Sequence, residues 1–147
     1  MRNFHRAMVA LTIAGVCTVL TPTVASARSA AAPCGSAAAA CIDLSRQQAW
    51  LMKGGQVTYG PTPITSGKPG YRTPPGTFKV LWKDRYHRSR AYDNAPMPYS
   101  VFFTHSGIAF HQGSLKAPSH GCIHLGGGAA ATFFNKLSGG QVVQVVS

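Results

Sequence analysis

The sequence predicts a mostly β domain with one helix. Three observations carry that prediction. From Cys41 onward, short runs rich in β-branched and aromatic residues are cut by Gly- and Pro-containing turns. Only one stretch, Ala129 to Leu137, reads as a helix: it is Ala-rich, and Phe133, Phe134 and Leu137 can share a face. The chain is 147 residues long and 45% hydrophobic, which suits one domain with one packed core.

Residues 1–27 read as a secretory signal rather than as part of the fold. Arg2, His5 and Arg6 give a basic start, Ala7 to Leu20 is apolar, and Pro22 breaks the run. Ala25-Ser26-Ala27 then supplies the small-x-small pattern of a cleavage site, so cleavage is expected after Ala27. The apolar run is short for a bilayer span; a retained anchor is the alternative. Val16 stands before Cys17 where a lipoprotein signal wants a small residue, and Arg2 and Arg6 are not adjacent as a twin-arginine signal requires. Residues 28–40, mostly Ala, Ser, Gly and Pro, read as a flexible tail. The folded domain is expected to span 41–147, in a secreted, cell-wall location.

Within that domain the elements follow in order. Ile42 to Leu44 is a short strand. Ala49 to Met52 and Gln56 to Tyr59, joined through Gly54-Gly55, read as a hairpin. Ile64-Thr65 is another short β segment, and Thr73-Pro74-Pro75-Gly76 is a rigid turn. Thr77 to Trp82 reads as one longer strand. Lys83 to Pro98 shows no periodicity and reads as a long loop of the kind that is functional or disordered. Tyr99 to Thr104 and Ile108 to His111 are strands separated at Gly107, and Gln112 to Pro118 is a loop. Gly126 to Gly128 precedes the helix, Gly139-Gly140 ends it, and Gln141 to Val146 is the last strand. Trp50, Trp82 and the phenylalanines are expected in the core, with His87 and His105 at the surface or in packing roles. The sequence holds no internal repeat.

Charge and cysteines narrow the function. The chain has 14 Lys+Arg against 3 Asp+Glu, no Glu at all, and a formal net charge of +11. An exported chain without a recognition motif is not expected to bind nucleic acid. The excess is suited to acidic wall polymers or to peptide carboxylates, and equally to solubility alone. After signal removal Cys34, Cys41 and Cys122 remain, so one thiol is unpaired in a compartment where disulfides persist. A Cys34–Cys41 bridge would stabilise by at most about 2.5 kcal/mol on the loop-entropy model and would leave Cys122 free. Counting alone does not choose among the three.

The chemistry concentrates in residues 111–125, where His111, His120 and His124 accompany Cys122. Thiolate is the reactive form of cysteine, and an imidazole can take its proton and return it to a leaving amine. Neighbouring Lys and Arg would lower the thiol pKa further. Gly121 permits close substrate approach, and amides near Gly121 and Cys122 are candidates for an oxyanion hole. If the segment is extended, His120, Cys122 and His124 share one face. Spacing does not choose the base. Zinc binding by the His/Cys cluster is a second reading, although neither CxxC nor HExxH accompanies it. A buried cysteine among surface histidines is a third.

Ser119-His120-Gly121-Cys122 resembles the Ser/Thr-His-Gly-Cys signature of L,D-transpeptidase (YkuD-type) catalytic domains. Further blocks are similar in the same order. They are Ile42-Asp43-Leu44-Ser45, then Ser66-Gly67-Lys68 with Thr73-Pro74-Pro75-Gly76-Thr77-Phe78, then Gly107-Ile108-Ala109-Phe110-His111. The resemblance implies a β-sandwich with the motif at one end of a cleft. It implies Cys122 as nucleophile and His111 as proton acceptor and donor. The backbone of Gln112 would orient the other imidazole nitrogen, and Ser119, His120 and Gly121 would shape the site and oxyanion hole. The 83–98 segment would lie as a lid, with Tyr92 and Tyr99 as wall residues. Two departures stand out. The seven-residue gap from His111 to Ser119 is shorter than the family's, which trims the substrate wall there, and His124 replaces a common Arg or Asn. His124 would either be a titrating contact for a carboxylate or a structural residue.

The implied reaction is peptidoglycan L,D-transpeptidation. A stem peptide acylates Cys122 and is passed to an amine, with no cofactor and no metal. Water as acceptor would give an L,D-carboxypeptidase. A wall-binding module that keeps the fold without catalysis, and a zinc-dependent wall hydrolase, are the readings from other classes. Oligomeric state is not encoded in any pattern of the chain.

Overall fold

The computed structural model describes residues 31–147. The expected signal segment, residues 1–27, lies outside them. Nine strands and one helix follow in chain order: β1 (Ala38–Asp43), β2 (Gln48–Lys53), β3 (Gln56–Thr65), β4 (Gly76–Lys79), β5 (Trp82–Ser89), β6 (Ala95–Phe102), β7 (Ala109–Gln112), β8 (Ile123–Leu125), α1 (Gly127–Lys136) and β9 (Val142–Val146). β1 starts at Ala38, three residues before the expected boundary. Ala38 and Ala40 are buried in it, so the end of the Ala-rich stretch belongs to the fold rather than to a tail.

The strands form one sheet in the order β4-β9-β1-β2-β3-β8-β7-β6-β5. β3 joins its two halves: its beginning pairs with β2, and its end pairs with β8 through Ile64↔Leu125 and Thr65↔His124. The edge strands β4 and β5 are separated in the chain only by Val80 and Leu81. The Val80 amide donates to Gln141 O (2.9 Å) and the Leu81 amide to Phe102 O (2.8 Å). The sheet therefore curls until its edges almost meet, which realises the expected sandwich. It also corrects the single strand expected over Thr77–Trp82. That run is two strands bonded to opposite ends of the sheet, and continuous β propensity cannot reveal the change of partner.

The segment Lys83–Pro98 is likewise not a loop. Most of it is the β5–β6 hairpin, paired from Trp82↔Phe102 to Ser89↔Ala95. An edge hairpin with much of its surface in water has no reason to alternate polar and apolar residues, so periodicity misses it. Lys83 caps the helix: its Nζ donates to Phe134 O (2.8 Å) and Leu137 O (2.7 Å), two carbonyls of the final helical turn. Trp82 is not a core residue. It is 47% exposed and stacks on Phe102 with ring centroids 3.8 Å apart.

The main core lies between the curled sheet and α1. Phe133, Ala130 and Leu137 of the helix are buried there, and Phe133 meets Phe110 of β7 at 5.0 Å between centroids and Tyr59 of β3 at 6.1 Å. A smaller cluster of Ala38, Cys41, Trp50 and Met52 lies beside the Cys34–Cys41 disulfide. That bridge has a Cα–Cα distance of 5.7 Å, and Cys122 is a free thiol.

Candidate active site

β7 and β8 are parallel neighbours, with Phe110↔Ile123, His111↔His124 and Gln112↔Leu125 in register. Parallel strands cannot be joined by a tight hairpin and need a crossover. Here residues 113–122 make it, so the Ser119–Cys122 motif is the crossover. The first half is closed by Ser114, whose Oγ accepts from the Lys116 and Ala117 amides (3.1 Å each). Thr65 adds a second tie by donating to Ser114 O (2.7 Å). A loop this short is held by its own hydrogen bonds.

The second half is held by the Ser66-Gly67-Lys68 segment. Gly67 forms a parallel bridge with Ser119; the Ser119 amide donates to Ser66 O (2.9 Å) and the Lys68 amide to Ser119 O (3.0 Å). Thr73 locks the pair together. Its buried Oγ1 donates to Gly121 O (2.8 Å) and accepts from the Gly67 amide (3.1 Å). Nothing in the sequence pattern marks Thr73 as more than a turn residue; its role depends on a contact 48 positions away.

Ser119 is 4% exposed and supports the motif from within: its Oγ donates to Cys122 O (2.5 Å) and accepts from the Gly121 amide (3.0 Å). This removes Gly121 N–H from the expected oxyanion donors, because that amide is already committed. The Cys122 amide makes no hydrogen bond among the described residues and stays available. Gly121 has φ +116°, a conformation that L side chains rarely adopt, so the motif turns sharply just before the cysteine.

Despite that turn, His120, Cys122 and His124 all line one cleft, although their side chains have different neighbours. His120 is exposed and lies between two rings, Tyr71 (centroids 4.8 Å) and Tyr92 of the hairpin turn (4.5 Å). His124, on β8, lies beside His111 at 4.9 Å. Its Nδ1 is 3.1 Å from both Ser114 O and Thr65 Oγ1, so the imidazole is tied into the loop. Gly113 leaves room for it: a Cβ there would fall 2.5 Å from the ring. Among the described residues no group of three or more His, Cys, Asp or Glu is placed to hold a metal.

His111, Cys122, Ser119, His120 and Gln112 line one cleft of about 370 Å³, together with Tyr92 of the β5–β6 turn. His111 Nδ1 donates to Gln112 O (2.8 Å), which fixes the tautomer and leaves Nε2 as a proton acceptor. Burial is the largest influence on this imidazole and pushes its pKa down to about 4. The Gln112 carbonyl opposes that shift, while His124 and His87 reinforce it. Burial likewise pushes the Cys122 thiol up, against a bond from the Ala109 backbone. The expected lowering of the thiol by nearby cations is therefore reversed: local desolvation outweighs the net charge of the chain. At neutral pH the cleft holds a thiol and a neutral imidazole.

Tyr99 does not line this cleft. Its φ of +59° breaks the strand alternation. The ring instead packs against Phe134 of α1 (5.9 Å) and under the Arg85 guanidinium (5.2 Å).

The model of the L,D-transpeptidase catalytic domain (YkuD) matches residues 37–145. The chain belongs to this family. Among solved structures, an L,D-transpeptidase from Stackebrandtia nassauensis is 30% identical with a TM-score of 0.69; the alignment covers 74% of this chain and 54% of that one. One from Mycobacterium tuberculosis H37Rv is 26% identical, with a TM-score of 0.67 and coverages of 72% and 56%. One from Mycobacterium smegmatis is 25% identical, with a TM-score of 0.64 and coverages of 71% and 56%. The chain thus spans about half the length of these L,D-transpeptidases. No curated protein sequence matches it. Within the family frame the cleft, the free thiol and the Gln112-bound histidine fall in the sequence blocks that resemble its signatures.

Proposed function

We propose that this L,D-transpeptidase domain cross-links peptidoglycan outside the cytoplasm through an acyl-enzyme on Cys122. The observation that carries the reading is the neutral His111, held by Gln112 O with Nε2 free, in one cleft with the only free thiol of the described residues. A stem peptide enters as donor. Cys122 Sγ attacks the carbonyl preceding a terminal D-residue while His111 Nε2 takes the thiol proton. The C–S bond forms, the C–N bond breaks, and the proton leaves on the departing amine. An acceptor amine then attacks the thioester, gives its proton to His111, and expels the thiol. The free Cys122 amide supports a role as oxyanion donor.

Two features support a starting state without an ion pair. A half-buried thiolate and a buried imidazolium in one cleft would be costly here, and desolvation shifts both groups toward their neutral forms. Proton transfer is therefore coupled to attack. Water in place of the amine would give an L,D-carboxypeptidase from the same acyl-enzyme.

The test is mass spectrometry of a disaccharide-tetrapeptide incubated with wild type and with Cys122→Ala. Loss of the terminal D-residue in wild type alone supports the acyl-enzyme, and a cross-linked dimer identifies the amine as acceptor. No change in either sample refutes the reading and leaves a wall-binding module in its place.

A further inference from the structure

A second cleft, of about 780 Å³, adjoins the catalytic one; Pro118 lines both. Lys68, Arg72 and Lys116 line it, and no Asp or Glu does. The chain has only three acidic side chains in all. Two of them are engaged elsewhere, Asp43 with Arg46 and Asp84 with His87, and the third, Asp93, stands in the β5–β6 turn. None of the three cleft cations forms an ion pair among the described residues. Ser147 lies at the cleft as well. Even a terminal carboxylate there would leave positive charge in excess.

The walls are preformed. Pro74 and Pro118 have fixed φ, and Thr73 ties the segment behind them to Gly67 and Gly121. Lys68 is half-buried, with Nζ 5.2 Å from the Tyr71 ring centroid, while Arg72 and Lys116 are exposed. With Arg72 and Lys116 exposed, the three cations of this open cleft do not make the dry, bidentate fork that selects one carboxylate. They suit an anion that repeats, held by long-range attraction and counterion release.

We propose that this cleft binds a linear phosphodiester polymer and thereby holds the domain beside its wall substrate. The Ser66 hydroxyl at the same cleft accepts from Gln47 Nε2 (2.9 Å) and keeps its own proton for a phosphate oxygen. This binding does not depend on Cys122, so it stands or falls separately from the acyl-transfer reading.

Fluorescence anisotropy of the full chain with a labelled poly(glycerol phosphate) oligomer, over a range of salt, tests it. The triple variant Lys68→Gln/Arg72→Gln/Lys116→Gln should bind at least tenfold more weakly. Its slope of log K against log salt should fall by about 2, at about 0.7 per lost phosphate contact. A control triple at cations that do not line the cleft, Lys53→Gln/Lys79→Gln/Lys136→Gln, should lose less than twofold. Equal losses in both triples would reduce the effect to net charge and overturn the site. So would tight binding of polyglutamate of the same charge, competition by inorganic phosphate as strong as by the polymer, or no binding by wild type. Thermal unfolding verifies that the variants fold. If the first triple does not, single reversals at the exposed Arg72→Glu and Lys116→Glu make the same comparison.

Discussion

His111 and His124 are direct partners in the parallel register of β7 and β8, with ring centroids 4.9 Å apart at an interplanar angle of 75°. One ring is tied to the Gln112 carbonyl and the other to the Ser114 loop, so neither can turn away from the other. A charge on His124 therefore disfavours a charge on His111.

This pairing sets a pH prediction. His111 is neutral down to about pH 4, so activity that needs it as a base should persist well below the ordinary histidine pKa of 6.5. His124→Asn removes one of the influences that lower it and should move the acid limb of the kcat/KM profile upward. An unmoved limb would show that His124 does not contribute to the shift. Stability carries the same sign. Between pH 6.5 and about 4 the unfolded chain binds a proton at this position and the folded chain does not, so stability falls as pH falls through that window. The loss is on the order of 3 kcal/mol. His111→Phe should flatten it in denaturant titrations at several pH values.

Thr73 joins the two strands of backbone that carry the motif. Thr73→Val leaves the Gly67 amide and Gly121 carbonyl without their partner in a buried place. The expected cost is about 1–3 kcal/mol in urea unfolding, with a fall in kcat because Gly121 precedes the nucleophile. Thr73→Ser keeps the hydroxyl and should restore most of both. Equal damage from serine and valine would assign the role to the methyl group.

Tyr92 and Tyr99 should separate cleanly. Tyr92 lines the cleft and stacks on His120, so Tyr92→Ala should raise KM for a stem-peptide donor several-fold, with a small effect on thermal stability. Tyr99 packs under Arg85 and against Phe134, so Tyr99→Ala should lower Tm with KM unchanged. The reverse pattern would mean that the hairpin sits differently over the site in the working protein.

The Cys34–Cys41 bridge should matter for stability only. Cys34→Ser removes it and should cost up to about 2.5 kcal/mol without changing kcat, because the bridge lies in the small Trp50 cluster. Alkylation followed by peptide mass mapping should label Cys122 alone in the native protein. A labelled Cys34 or Cys41 would contradict the pairing.

The sequence by itself determined the class and the family, and it pointed to the chemistry proposed above. Turn-punctuated short runs read as strands because Gly and Pro act locally on φ, and an Ala-rich stretch reads as a helix for an equally local reason. Ser119 to Cys122 is contiguous, so its character was open to inspection. Gln112 as the orienting carbonyl followed from the resemblance and sits next to His111 in the chain.

Only the tertiary structure decided which groups meet. It placed His124 rather than His120 beside His111, because Gly121 turns the chain between them. It made Thr73 a strut through a contact 48 residues away, and split the 77–82 run between opposite edges of the sheet. It turned Lys83–Pro98 into an edge hairpin whose exposure erases periodicity. Finally, it reversed the expected pKa of Cys122. Net charge is a sum over the whole chain, but a thiol's pKa is set by the few atoms that exclude water from it.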